Sequence, residues 1–131
     1  MILDSSAIIA VLTQESDAIV FAGAIDAAEM CSVSAATYLE AAIVIDSKRE
    51  PLASRKFDDF FGKASTTIVA VDETQARIAR EAYRDFGRGS GHPARLNFGD
   101  CFAYALAKAT GESLLFKGKD FLHTDVKSAL R

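Results

Sequence analysis

Short apolar, β-prone runs alternate with longer helical stretches along this chain, and that alternation narrows the available folds more than any other feature. The runs are MIL at the start, MCSVS from Met30, TTIVAV from Thr66 and SLLF from Ser113. A helical stretch from about Ser5 to Leu12 follows the first run, and DAIVFAGAIDAAE reads as a second helix before MCSVS. Ser34 is placed to cap AATYLEAAIVIDSKRE. A further amphipathic segment has Leu52, Phe57, Phe60 and Phe61 as its apolar anchors. DETQARIAREAYRDFG begins on a capping Asp72 and ends at Gly87, and RGSGHPAR after it is a loop. LNFGDCFAYALAKATG then sets Phe98, Cys101, Phe102, Ala105, Leu106 and Ala109 on one helical stripe expected to face the core. Strands joined through helices need right-handed crossovers, so the expected class is α/β, a parallel sheet covered on both sides by helices. TTIVAV, continuous and β-branched, is expected to be a strand buried on both faces.

Composition adds limits. A chain of 131 residues, half hydrophobic and with two prolines, is expected to form one domain with a core that needs no disulfide or structural metal. No apolar run approaches a membrane span and no charged-then-apolar leader opens the chain, so the expected location is the cytoplasm, with no membrane partner. Cys31 and Cys101 have no partner at CxxC spacing and read as buried, reduced thiols. A net charge of −3 argues against a domain that coats nucleic acid by bulk electrostatics. It leaves room for an enzyme that touches a few phosphates through a metal and a local basic patch.

Four carboxylates carry the chemistry. In an open parallel sheet, ligands bind just outside the carboxyl ends of the strands, and Asp4 is the first residue after MIL. It is equally placed to cap the helix that follows. Glu40 lies in a helix apolar on nearly all sides, which is expected to be buried. It then needs a cation, a shared proton or a metal ion, unless its edge of the helix reaches water. Asp100 opens its helix, where the macrodipole favours it, and Asn97 three residues earlier offers a capping box. Asp120 lies shortly after SLLF, at the same strand-end edge as Asp4, and could serve as a turn acid. Gathered in one crevice, such groups repel unless a cation holds them, and hard oxygen donors suit Mg²⁺ or Mn²⁺. No histidine stands at zinc-ligand spacing. The chemistry this points to is metal-dependent phosphodiester hydrolysis.

The stretches ILDSSAIIAVL, SAATYLEAAIVI, LNFGDCFAYALAKATGESLLFKGKDF and the closing HTDV resemble the PIN-domain ribonucleases, more narrowly the VapC toxins of bacterial toxin–antitoxin pairs. The resemblance runs from Met1 to about Val126. It implies a single PIN domain over residues 1–131, with a short-stranded parallel sheet of four to five strands sandwiched between α-helices. It places the family's catalytic and metal-binding quartet on Asp4, Glu40, Asp100 and Asp120, with Ser6 and Asn97 beside it and Mg²⁺ or Mn²⁺ as cofactor. It also implies a single-stranded or loop RNA substrate such as tRNA or ribosomal RNA, and 5′-phosphate and 3′-hydroxyl products. The implied partners are a VapB-type antitoxin, a second copy of the chain, and operator DNA through the antitoxin complex only.

Basic residues near the acids are candidate RNA contacts: Arg88, His92 and Arg95 on the glycine-rich loop, and Lys117 and Lys119 near Asp120. Phe57, Phe60 and Phe61, or Ile19, Val20 and Phe21, could form a partner's groove, although core is the simpler reading. Two rival functions stay open. A receiver domain would use Lys117 but needs a phosphoacceptor on a middle strand, where only Asp72 is available. A non-catalytic partner would hold an antitoxin arginine in the acidic pocket.

Overall fold

The strand that leads to Asp4 is two residues long, and the rest of the sheet is arranged around it. The computed structural model describes residues 1–63 and 66–130. Strand β1 (Ile2–Leu3) leads through Asp4 into α1 (Ser5–Leu12), followed by α2 (Ala18–Ala27). Then come β2 (Cys31–Ser34), α3 (Ala35–Asp46), α4 (Pro51–Lys63) and β3 (Thr66–Val69). Helices α5 (Glu73–Phe86) and α6 (Phe98–Thr110) precede β4 (Leu114–Leu115), and a 3₁₀ turn spans Asp120–His123. The helical stretches fall where the periodicity puts them. AATYLEAAIVIDSKRE stops early, at Asp46.

Among the described residues four strands run parallel, in the order β3-β2-β1-β4. β1 is therefore central: Ile2 N–H donates to Ser113 at 2.8 Å, and Ser32 N–H donates to Met1 at 2.9 Å on the other side. Because successive side chains in a strand point to opposite faces, two residues serve both layers. Ile2 and Leu114 face a cluster with Leu96, Leu106 and Phe121. Leu3 and Leu115 face a second cluster with Ile8, Val33, Ile45 and Phe57. Each such aliphatic side chain, wholly withdrawn from water, contributes roughly 1.5–3 kcal/mol. Tyr38, Phe57 and Phe61 extend the second layer as an aromatic group with centroids 4.9–5.3 Å apart. Phe21 joins it, whereas Ile19 and Val20 are exposed.

Three expectations need correction. β3 is not buried on both faces. Among the described residues it pairs with β2 alone, at the edge of the sheet, and Ile68 is 45% exposed, because packing over its face is incomplete there. Phe98 is not in the core but 78% exposed, and Ala109 is exposed too, since the stripe leaves the core at both ends of α6. α3 is not enclosed all round: Leu39 and Ile43 are 57% and 59% exposed, and Glu40 is only half-buried at the margin of the interior. Cys31 and Cys101 are buried free thiols, as expected. No helix among the described residues is long and apolar enough to cross a membrane.

Candidate active site

Asp4 leaves β1 with its N–H donating to Leu115 at 3.0 Å, so it stands at the junction of the two central strands. It does cap α1: one carboxylate oxygen, Oδ2, accepts from Ser6 N–H at 3.1 Å and from Ser6 Oγ at 2.5 Å. Its other oxygen, Oδ1, is buried and has no hydrogen-bond partner among the described residues. Burial, partly offset by the Ser6 hydrogen bonds and reinforced by the charges of Asp100 and Glu40, pushes the carboxyl up to about 6. Ser6 does more than cap. Its hydroxyl also accepts from Lys117 N–H at 2.9 Å, which pins the exit of β4 beside Asp4.

Asp100 opens α6 within a complete capping box. Asn97 Oδ1 accepts from Asp100 N–H at 2.8 Å, and Asp100 Oδ2 accepts from Asn97 N–H at 3.0 Å. Burial again pushes this carboxyl up, opposed by the Asn97 bond and helped by the charges of Asp120 and Glu40. Glu40, from α3, lays its carboxylate over Gly99 and makes no hydrogen bond or ion pair with a described residue. Asp120 is exposed, at the start of the 3₁₀ turn. The four acids therefore act on one another electrostatically. Among the described residues, however, no three acidic, histidine or cysteine side chains stand close enough to enclose a metal ion. Two acids are instead turned toward their own helix caps. All four carry hard carboxylate oxygens, and the spare buried oxygen of Asp4 is the donor most in want of a partner.

The PIN domain family matches residues 1–127 of this chain. A ribonuclease named VapC28, from Mycobacterium tuberculosis, is 55% identical over 130 residues, covering 99% of this chain and 98% of the relative. The chain belongs to the PIN-domain family, among the VapC ribonucleases. The fold agrees. The crystal structure of VapC20 from M. tuberculosis, described as a sarcin-ricin loop cleaving toxin, superposes with a TM-score of 0.76 at 13% identity, covering 95% of each chain. A toxin–antitoxin complex from Klebsiella pneumoniae gives 0.69 at 14% identity, covering 92% of this chain and 88% of the other.

Within this PIN domain the basic candidates separate. Lys117 is committed: its ammonium pairs with Glu15 and, at 3.1 Å, with Asp17, bracing the α1–α2 turn. His92 turns into its own loop, where Nδ1 accepts from Ala94 N–H at 3.1 Å and the ring packs edge-on against Phe86. Arg88 is exposed, and its charge reaches Asp100. Arg88 and Asn97 border an open groove of about 590 Å³ between α5 and α6, walled by Tyr83, Phe98 and Phe102. Arg95 and Lys119 are exposed. Asp72, the acid a receiver reading requires, is an exposed cap of α5 after the edge strand, far from the sheet centre in strand order. Gly99 was not singled out by sequence. The only signal available was a poor helix former in the first turn of an otherwise regular helix.

Proposed function

We propose that this chain is the toxin of a type II toxin–antitoxin pair, an endoribonuclease that uses Mg²⁺ or Mn²⁺ to hydrolyse single-stranded or loop RNA. The observation that carries the reading is Asp4: a carboxylate at the end of the central strand, with a buried oxygen unpartnered among the described residues, under the influence of two further acids. Desolvated like charges without a neutralising partner cost on the order of several kcal/mol, and a divalent cation removes that cost. Asp4, Glu40 and Asp100 are assigned to the ion, with Asp120 completing the site from the rim. When bound, the ion supplies a lowered pKa for water and neutralises charge on the phosphodiester.

The protein's own residues do the rest. Ser6 favours the ionised form of Asp4 against the larger effect of burial, since both of its hydrogen bonds go to the carboxylate. Asn97 fixes Asp100 at the head of α6. Arg88 and Arg95 offer phosphate contacts from the loop, and Lys119 offers one beside Asp120. Lys117 is left out of that set because its charge is spent on Glu15 and Asp17. A VapB-type antitoxin, a homodimer and operator DNA reached through the antitoxin complete the assignment. We place this single domain in the cytoplasm, where its RNA would be found.

The test is RNA cleavage by the purified chain, free of antitoxin, with Mg²⁺ or Mn²⁺, with EDTA, and with Asp100→Asn alongside. Cutting that needs the ion and is lost in the variant supports the assignment. Undiminished cutting by the variant overturns it.

A further inference from the structure

Gly99 occupies the second position of α6, directly before Asp100. Glycine is less favourable in a helix than any residue except proline, so its presence there calls for a reason. Backbone geometry does not supply one, because the positive-φ glycines of this chain lie elsewhere, at Gly89, Gly91, Gly111 and Gly118. Space does. A Cβ on Gly99 would lie 2.0 Å from Glu40 Oε2, 2.7 Å from its Cδ and 2.9 Å from its Oε1. The other glycines inside helices, Gly23 and Gly62, would meet nothing within 4 Å. The three atoms nearest to such a Cβ all belong to the end of the Glu40 side chain.

We infer that Gly99 is a positioning residue for Glu40: its bare Cα is the seat on which that carboxylate rests, and so it sets how closely Glu40 approaches Asp100. The inference rests on the metal-site reading above. Glu40 has no hydrogen bond or ion pair with a described residue to hold it there, so steric fit against α6 limits its approach. A methyl group at position 99 lifts the carboxylate away. It does so without disturbing the core, because the displaced atoms belong to the far end of a flexible, half-buried side chain.

The experiment is a double-mutant cycle with Gly99→Ala and Glu40→Gln, with Gly23→Ala as a control in open space. Mn²⁺ binding is read by titration calorimetry on the purified, antitoxin-free chain, with the metal-free melting temperature and RNA cleavage measured in parallel. Gly99→Ala is expected to weaken Mn²⁺ binding by about tenfold or more, the scale seen when groups that orient ligands are changed. Its metal-free melting temperature is expected to stay level or rise, as alanine favours the helix. In the Glu40→Gln background the same change is expected to alter Mn²⁺ binding less than about twofold, because it acts only through Glu40. Mn²⁺ binding that survives Gly99→Ala, or an equal loss in both backgrounds, overturns the inference while leaving the metal reading intact. A wild-type chain that binds no Mn²⁺ overturns the metal reading and this inference with it.

Discussion

Asp4 and Asp72 perform the same local task at two places in the sheet. Each follows a strand, takes an extended backbone conformation and caps the next helix, accepting from Ser6 N–H at 3.1 Å and from Gln75 N–H at 2.8 Å. Their surroundings differ in one respect that decides the rest. Asp4 leaves β1, which has a neighbour on each side, whereas Asp72 comes after β3, which has one. Asp4 is 3% exposed, with acids from α3 and α6 acting on it, while Asp72 is open to solvent. A cap becomes a candidate ligand when the sheet surrounds it. Strand order does this, and the motif alone does not.

The sharpest way to break the comparison is to neutralise both acids. Asp4→Asn is expected to lower RNA cleavage by about a thousandfold or more, equivalent to ~4 kcal/mol of lost transition-state stabilisation. Asp72→Ala is expected to leave cleavage within about twofold and cost ~1 kcal/mol of stability, the usual value of a lost cap. Cleavage assays and urea unfolding on both variants settle the contrast; equal effects on cleavage would end it.

pH gives the next largest difference. Asp4 is held at about 6 against an ordinary 3.8, so between those values the folded chain keeps a proton that the unfolded chain has lost. Metal-free stability therefore falls as pH rises through that window, by up to about 3 kcal/mol, and stays at the lower level above it. Unfolding with a chelator at several pH values reads the slope. Asp4→Asn should remove it and Asp72→Ala should not.

Ser6→Ala probes what supports Asp4. It deletes a hydrogen bond that favours the ionised carboxylate and leaves Lys117 N–H without its acceptor. A cost of ~1–2 kcal/mol and a roughly tenfold loss of cleavage are expected, with the pH midpoint moved upward. Removing charge from the loop is the gentlest change. Arg88→Ala with Arg95→Ala should weaken RNA binding and reduce its salt slope by about 1.4, at roughly 0.7 per phosphate contact on a single strand. Lys117→Ala should leave that slope unaltered, since its charge faces Glu15 and Asp17.

The helical layers were readable because caps and periodicity are local: Asp72 with Gln75, and Asn97 with Asp100, each lie within one turn. The parallel sheet followed from alternation alone. What escaped was long-range. The exposed face of β3 depends on strand order, which no single strand encodes. The commitment of Lys117 to Glu15 joins residues 102 positions apart. Phe98 fits the apolar stripe by spacing, yet it starts α6 before the helix reaches the core at Cys101. Glu40 stood out on the expectation of an enclosed helix, yet it lies at the half-buried margin of α3. Gly99 beneath it did not stand out, because a glycine gives no sign of what fills the space it leaves.

The pairing of β1 with β4 has a bearing on synthesis. Ile2 and Leu3 align with Leu114 and Leu115, and the hydroxyl touching Asp4 also takes the amide of Lys117. A ribosome-bound fragment ending before those residues lacks the central strand's second neighbour, and with it the wall that shuts Asp4 away from water. Contacts so distant along the chain form late and slowly. The crevice around Asp4 is thus among the last parts of the molecule to be completed, and a growing chain passes most of its translation with Asp4 open to water.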